Sequence, residues 1–105
     1  MCIRDSHKAL ARAGLSLVDM DVIEINEAFA TQVLGCLKAL GIDQGDSRVN
    51  PNGGAIAVGH PLGASGARLT LTATRQLHRC QGRYALVTLC IGVGQGLAAV
   101  LERVS

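Results

Sequence analysis

Apolar and polar positions along the chain change their period several times, and each change marks an element. Residues 7–13 read as the end of a helix, with Gly14 able to take the left-handed cap position. After a linker over 15–20, the run Asp21-Val22-Ile23-Glu24-Ile25-Asn26 is short and β-branched, which predicts a strand. From Glu27 the period lengthens. Phe29, Val33, Leu34, Leu37 and Leu40 fall at helical spacing, and Gly41 ends that helix. Asn26 therefore stands at a strand-to-helix junction. A polar loop over 42–50 leads into a glycine-rich stretch over 51–66. Ala67, Leu71, Ala73, Thr74 and Leu77 then predict a helix over about 64–79. Residues 83–90, RYALVTLC, read as a buried strand, 91–96 as a tight glycine turn, and 97–104 as a last strand.

Two strands joined by so short a turn pair antiparallel, and strands separated by helices run parallel with right-handed crossovers. The pattern predicts an α/β layer with a mixed sheet, two parallel-type strands plus a C-terminal antiparallel pair, and flanking helices. Three strands are few for a freestanding domain. The opening residues, MCIRDS, neither continue a helical pattern nor resemble a targeting signal, so residues 1–6 are read as a non-native prefix and Met1 as an unreliable start.

Composition narrows the class. Apolar residues make up 49% of the 105 residues, yet there is one Phe, one Tyr and no Trp, so the core is built from Ala, Val, Leu and Ile. The 13 glycines, almost twice the usual share of about 7%, cluster at turns. The net charge of +2 comes from interspersed acids and bases, which gives no support for a nucleic-acid or membrane partner. No apolar stretch approaches the ~20 residues a bilayer needs. Cys2, Cys36, Cys80 and Cys90 form no C-x-x-C pair, which suits reduced thiols in a cytoplasmic protein; His78 and Cys80 lack a second ligand pair, so no metal site is expected.

Candidate chemistry concentrates at three places, each with a plainer reading beside it. His60 precedes a proline in a glycine-rich turn; Cys90 closes an apolar strand, where cysteine is commonly an inert small hydrophobe; Asn26 is well placed to cap a helix. Cys36 falls among Val33, Leu37 and Leu40 and is assigned to the core, while His7, His78 and Cys80 read as surface or helix-end residues. The glycine turn after Cys90 lacks the G-x-G-x-x-G spacing and following helix of a dinucleotide loop.

Read together, these segments carry a family resemblance. Asn50-Pro-Asn-Gly-Gly-Ala-Ile-Ala-Val-Gly-His60-Pro-Leu-Gly-Ala-Ser-Gly66 resembles the thiolase histidine signature, N-x-x-G-G-x-[aliphatic]-[small]-x-G-H-P-x-G-x-S-G, at every specified position. Asn26-Glu27-Ala28-Phe29 resembles the family's NEAF motif, and Cys90-Ile91-Gly92-Val93-Gly94-Gln95-Gly96 its C-x-G-x-G-x-G motif. The order is the family's, and the resemblance spans residues 7–105 as an incomplete thiolase C-terminal domain.

The resemblance implies a thiolase-like layered fold and an acyltransferase of fatty acid metabolism. Such enzymes condense two acyl-CoA molecules, or cleave a 3-ketoacyl-CoA with CoA, through an acyl-cysteine. His60 would activate the nucleophilic cysteine and help bind the thioester oxygen. Cys90 would move a proton to or from the α-carbon, Asn26 would hold a water in one oxyanion hole, and the Gly92 amide would donate in the second. Ala28, Phe29 and Gly59 would line the substrate. CoA thioesters enter as substrates, with no tightly bound cofactor. The nucleophile's motif is not found here, so an N-terminal thiolase half is expected as the missing partner, in a homodimer or homotetramer. The residue types suit this chemistry, because Claisen steps need a tunable base and donors aimed at an oxygen gaining charge. Two alternatives stay open: a ketoacyl-synthase-like condensing fragment, and a non-catalytic thiolase-like binding or assembly module.

Overall fold

The computed structural model describes residues 2–92 and 95–105. Met1, and Val93 and Gly94 of the glycine turn, lie outside the described residues. The order of elements is α1 (Cys2–Ala13), a 3₁₀ turn (Leu17–Asp19), β1 (Val22–Ile25), α2 (Ala30–Leu40), α3 (Ala55–Val58), α4 (Ser65–Cys80), β2 (Tyr84–Gly92) and β3 (Gln95–Glu102). β1 runs parallel to β2, with Val22 beside Ala85 and Ile25 beside Thr88, and β2 runs antiparallel to β3, with Tyr84 opposite Glu102. The mixed three-stranded sheet is the one that the sequence pattern predicts.

Both faces of the central strands are covered, which explains their unbroken apolar character. On one face Ile23, Ile25 and Leu86 pack with Leu10 of α1, Met20, and Val33, Leu37 and Leu40 of α2. On the other, Val22, Ala85 and Val87 pack with Leu69, Ala73 and Leu77 of α4. Period-2 alternation sends successive strand residues to opposite layers. Cys36 is buried in the first layer as expected, while His7, His78 and Cys80 are exposed. Among the described residues no helix is long and apolar enough to cross a membrane.

Five local readings need correction. α1 begins at Cys2, not His7, and Ser6 is completely buried. Helical periodicity is hard to see there because the polar Ser6 occupies the buried stripe between Ile3 and Leu10. α2 begins at Ala30, three residues after Glu27, because Asn26 still continues the β1–β2 ladder and the Glu27 carboxylate is bonded to Asn50 and Ile56. Its buried stripe is Val33, Cys36, Leu37 and Leu40, leaving Phe29 and Leu34 outside. In α4 the buried stripe is Ser65, Leu69, Ala73 and Leu77, so Ala67, Leu71 and Thr74 face outward. The glycine-rich stretch also contains a single helical turn, α3.

The loop from 42 to 50 is pinned along the sheet. The Arg48 guanidinium pairs with Asp46 at 2.7 Å and donates to the carbonyls of Leu17 and Met20 at 3.0 and 2.9 Å. Its hydrogen bonds hold the Asp46 carboxyl down to about 2. Beyond it, Ile23 N–H donates to Arg48 O at 2.8 Å and Asn50 N–H to Ile23 O at 2.9 Å, so Val49 lies beside Ile23 as a one-residue parallel bridge.

The phase of α4 predicts opposite outcomes for two leucines. Leu69→Ala, at a fully buried site, is expected to lower the domain's unfolding free energy by about 2–5 kcal/mol. Leu71→Ala, at a position 53% exposed, is expected to change it by less than about 0.5 kcal/mol in the same urea titration.

Candidate active site

The C-terminal ends of the parallel strands β1 and β2 lie side by side, which is where open α/β sheets commonly place their ligands. Asn26 follows the last residue of β1, and its N–H donates to Thr88 O at 3.0 Å, extending the ladder one step. Cys90 stands two residues beyond Thr88 on β2, half-buried, and Gly92 ends that strand opposite Gln95. The pairing register with β3 shifts between Cys90 and Gly92. Asn26 and Cys90 thus both lie at the C-terminal end of the parallel pair, Asn26 after the edge strand β1 and Cys90 on the central strand β2.

The histidine-bearing stretch reaches the end of β1, on its free side, through Asn50. Its side-chain amide lies along β1 as a substitute strand: Ile25 N–H donates to Asn50 Oδ1 at 2.9 Å and Asn50 Nδ2 donates to Ile25 O at 2.9 Å. The residue adopts φ 43°, a left-handed conformation that Asn tolerates better than most side chains. Glu27 adds two bonds, one accepted from Asn50 Nδ2 at 3.3 Å and one from Ile56 N–H at 3.1 Å. Gly54 leaves room for that carboxylate, since a Cβ there would overlap it. The NEAF and histidine motifs are therefore one hydrogen-bonded unit.

His60 follows Gly59, whose φ of 98° turns the chain from α3 toward α4 in a region that favours glycine. The half-buried imidazole contacts the fully buried Ser65 hydroxyl through Nδ1 at 2.5 Å. Ser65 Oγ in turn donates to Pro61 O at 3.2 Å. A serine has one proton to give. With that proton on Pro61, Nδ1 carries the hydrogen donated to Ser65, and Nε2 is left as the acceptor nitrogen of the neutral ring. Of the remaining predicted contacts, Ala28, Phe29 and Gly59 are exposed, Phe29 at 73%.

The sequence reading missed Glu24, Glu27, Asn50, Ser65 and Arg68. All but Glu24 and Arg68 lie within the recognised motifs, where their partners could not be read from spacing. Glu24 is completely buried, on the α4 face of β1 with Val22. Neither of its oxygens, nor either side-chain polar atom of the buried Asn26, has a hydrogen-bond partner among the described residues, and Nε and Nη2 of Arg68 are in the same condition. Burial pushes the Glu24 carboxyl up to about 7; the Arg68 charge opposes this and the Glu27 charge adds to it. An acid two residues before Asn26 is thus half-protonated near neutrality.

Comparison with known proteins decides what this arrangement belongs to. Residues 3–103 match the family model described as the thiolase C-terminal domain. The chain belongs to the thiolase family. It is 66% identical over 99 residues to the Escherichia coli (strain K12) 3-oxoadipyl-CoA/3-oxo-5,6-dehydrosuberyl-CoA thiolase, covering 94% of the chain and 25% of that relative. It is 63% identical over 97 residues to the beta-ketoadipyl-CoA thiolase of Acinetobacter baylyi, covering 92% of the chain and 24% of the relative. Among solved structures it resembles human mitochondrial 3-ketoacyl-CoA thiolase, with a TM-score of 0.93 and 48% identity over 98% of the chain and 26% of that protein. The thiolase-like layered fold is therefore shown, and the chain spans about a quarter of the length of the thiolases it matches.

The raised Glu24 carboxyl has a calculable sign. Folding strengthens its hold on the proton, so this favourable contribution is full below about 4.5 and is lost as pH rises through about 7. At 1.36 kcal/mol per pKa unit, the loss is on the order of 3 kcal/mol. The stability difference between the parent protein and Glu24→Gln, followed by urea unfolding from pH 4.5 to 8, is expected to shift against the parent by that amount. A difference independent of pH would contradict the assignment.

Proposed function

We propose that this chain is the proton-handling and oxyanion-binding part of a thiolase that works on 3-ketoacyl-CoA by thiolysis or the reverse Claisen condensation. The observation that carries the reading is the hydrogen-bonded union of the NEAF and histidine motifs at the C-terminal end of β1, beside the strand β2 that carries Cys90 two residues past Thr88. CoA thioesters are the substrates, and no tightly held cofactor takes part.

In thiolysis, a nucleophilic cysteine supplied by the rest of the polypeptide attacks the 3-keto carbon. His60 Nε2 takes the thiol proton, since Nδ1 is committed to Ser65. The carbon–carbon bond breaks, the departing acetyl-CoA enolate takes a proton from the Cys90 thiol, and the acyl group stays on the nucleophile. CoA then gives its thiol proton to the Cys90 thiolate and attacks the acyl-cysteine, and the departing cysteine sulfur takes its proton back from His60. Asn26, buried with both side-chain polar atoms unengaged, has the capacity to hold a water against the enolate oxygen. The Gly92 amide is assigned to the oxygen on the nucleophile's side. Donors fixed in advance at such oxygens are each worth about 2.7–4 kcal/mol.

The remaining three-quarters of a thiolase would supply the nucleophile and most contacts to CoA. It would also cover Phe29, Ile56, Val58 and Leu62, which are 59–82% exposed on the motif-bearing segments. Residues 7–105 are proposed as the thiolase part of the chain.

Two proteins test this reading side by side. The 105-residue chain alone is expected to show no acetoacetyl-CoA thiolysis, because a catalytic unit without its nucleophile fails as a whole. A chimera joining this chain to the upstream three-quarters of the E. coli relative is expected to cleave it. Cys90→Ala in the chimera should lower kcat by about 10²–10⁴-fold. Activity in the isolated chain, a folded chimera without activity, or an unimpaired Cys90→Ala chimera would each overturn the proposal.

A further inference from the structure

We propose that Glu27 is a positioning residue, the clasp that holds the His60 loop on the end of β1 by capping α3 from a distance. The inference deepens the thiolase reading above and rests on it for its kinetic part only.

α3 is a single turn, with Val58 N–H bonded to Gly54 O and Gly59 N–H to Ala55 O. A turn this short leaves its first amides without internal partners, and those donors are ordinarily met by the side chain of the N-cap residue. Here the N-cap is Gly54, which has no side chain to offer. Ile56, two residues into the segment, instead gives its N–H to Glu27 Oε1 at 3.1 Å, across 29 residues of sequence. The cap has been moved to the NEAF motif.

Three further observations tie this bond to position and not to chemistry on substrate. The second oxygen of Glu27 also accepts a bond, from Asn50 Nδ2 at 3.3 Å, so both oxygens hold donors of the protein itself. The same Asn50 amide holds both backbone groups of Ile25, so the carboxylate braces the strand end and the loop at once. Gly54 is a close approach and not a turn requirement: its φ is extended, at −127°, and a Cβ there would overlap the Glu27 carboxylate. An aspartate is one methylene too short to span the same gap. From Ile56 the turn passes through Gly59 to His60, so loosening the cap frees the backbone that aims the imidazole.

The test uses the active chimera with Glu27→Ala, Glu27→Gln, Gly54→Ala and the Glu27→Ala/Gly54→Ala double variant. Misplacing a catalytic group by about 1 Å costs on the order of 10²-fold. Glu27→Ala and Gly54→Ala are each expected to lower kcat by about that factor, with KM within about threefold. Glu27→Gln keeps the acceptor for Ile56 and is expected to retain kcat within about tenfold. The double variant is expected to be no worse than either single one, because both remove the same contact. Amide exchange at Ile56 provides a readout independent of turnover, about tenfold faster in Glu27→Ala and Gly54→Ala and unchanged in Glu27→Gln. A parent chimera lacking thiolysis would defeat the functional reading while leaving this exchange comparison to decide the clasp. Losses that multiply in the double variant, a glutamine variant as impaired as the alanine, or an Ile56 amide indifferent to Glu27→Ala would overturn it.

Discussion

The side-chain amide of Asn50 lies against β1 as if it were one residue of a neighbouring strand, giving and accepting a hydrogen bond at Ile25. That pair of bonds is what the site depends on. The strand end that presents Asn26 would otherwise have unmatched backbone groups on its free edge, and buried backbone groups are rarely left so. The loop that leads to His60 would otherwise be a glycine-rich tether with little to fix it. One side chain satisfies the strand and anchors the loop together.

The same strand ends show how buried polar groups are tolerated here. Two apolar layers bury both faces of the strands, so the sheet is held by residues remote from the chemistry. Polar residues then enter where the parallel strands end. Asn26 and Glu24 are buried with side-chain atoms unpartnered among the described residues, a condition that costs stability. The cost is borne by the packing of α2 and α4. Under the proposed function, that unspent hydrogen-bonding capacity is what stabilising an enolate oxygen demands. Glu24 complicates this, because burial raises its carboxyl to about 7 and its charge therefore varies near neutrality.

Periodicity made most of the fold legible. β1 and β2 are short apolar runs, the antiparallel β2–β3 pair follows from a turn too short for a crossover, and α2 ends at Gly41 as its position implied. What escaped depends on contacts between distant residues. Glu27 has the composition of a helix start, yet its carboxylate is taken by Ile56 and Asn50, so α2 waits until Ala30. Leu71 looks like a core residue until α4 is seen to use the i, i+4 row through Leu69, Ala73 and Leu77. The one-turn α3 has no periodicity to read. The motifs themselves were visible as residue types in order. Their joining through Asn50 and Glu27, and the Ser65 contact that orients His60, were not, because spacing along a chain does not report who bonds to whom.

Hydrogen exchange at the Ile25 amide, compared between the parent chimera and Asn50→Ala, tests the Asn50 bridge most directly. The account predicts that in the parent this edge amide is protected about as well as Ile23, the other amide on that side of β1. In Asn50→Ala its protection should fall by at least about a hundredfold, while Ile23, bonded to Arg48 O, keeps its own. An Ile25 amide equally protected in both proteins would show that the strand end does not rely on Asn50, and the coupling of the two motifs would have to be abandoned.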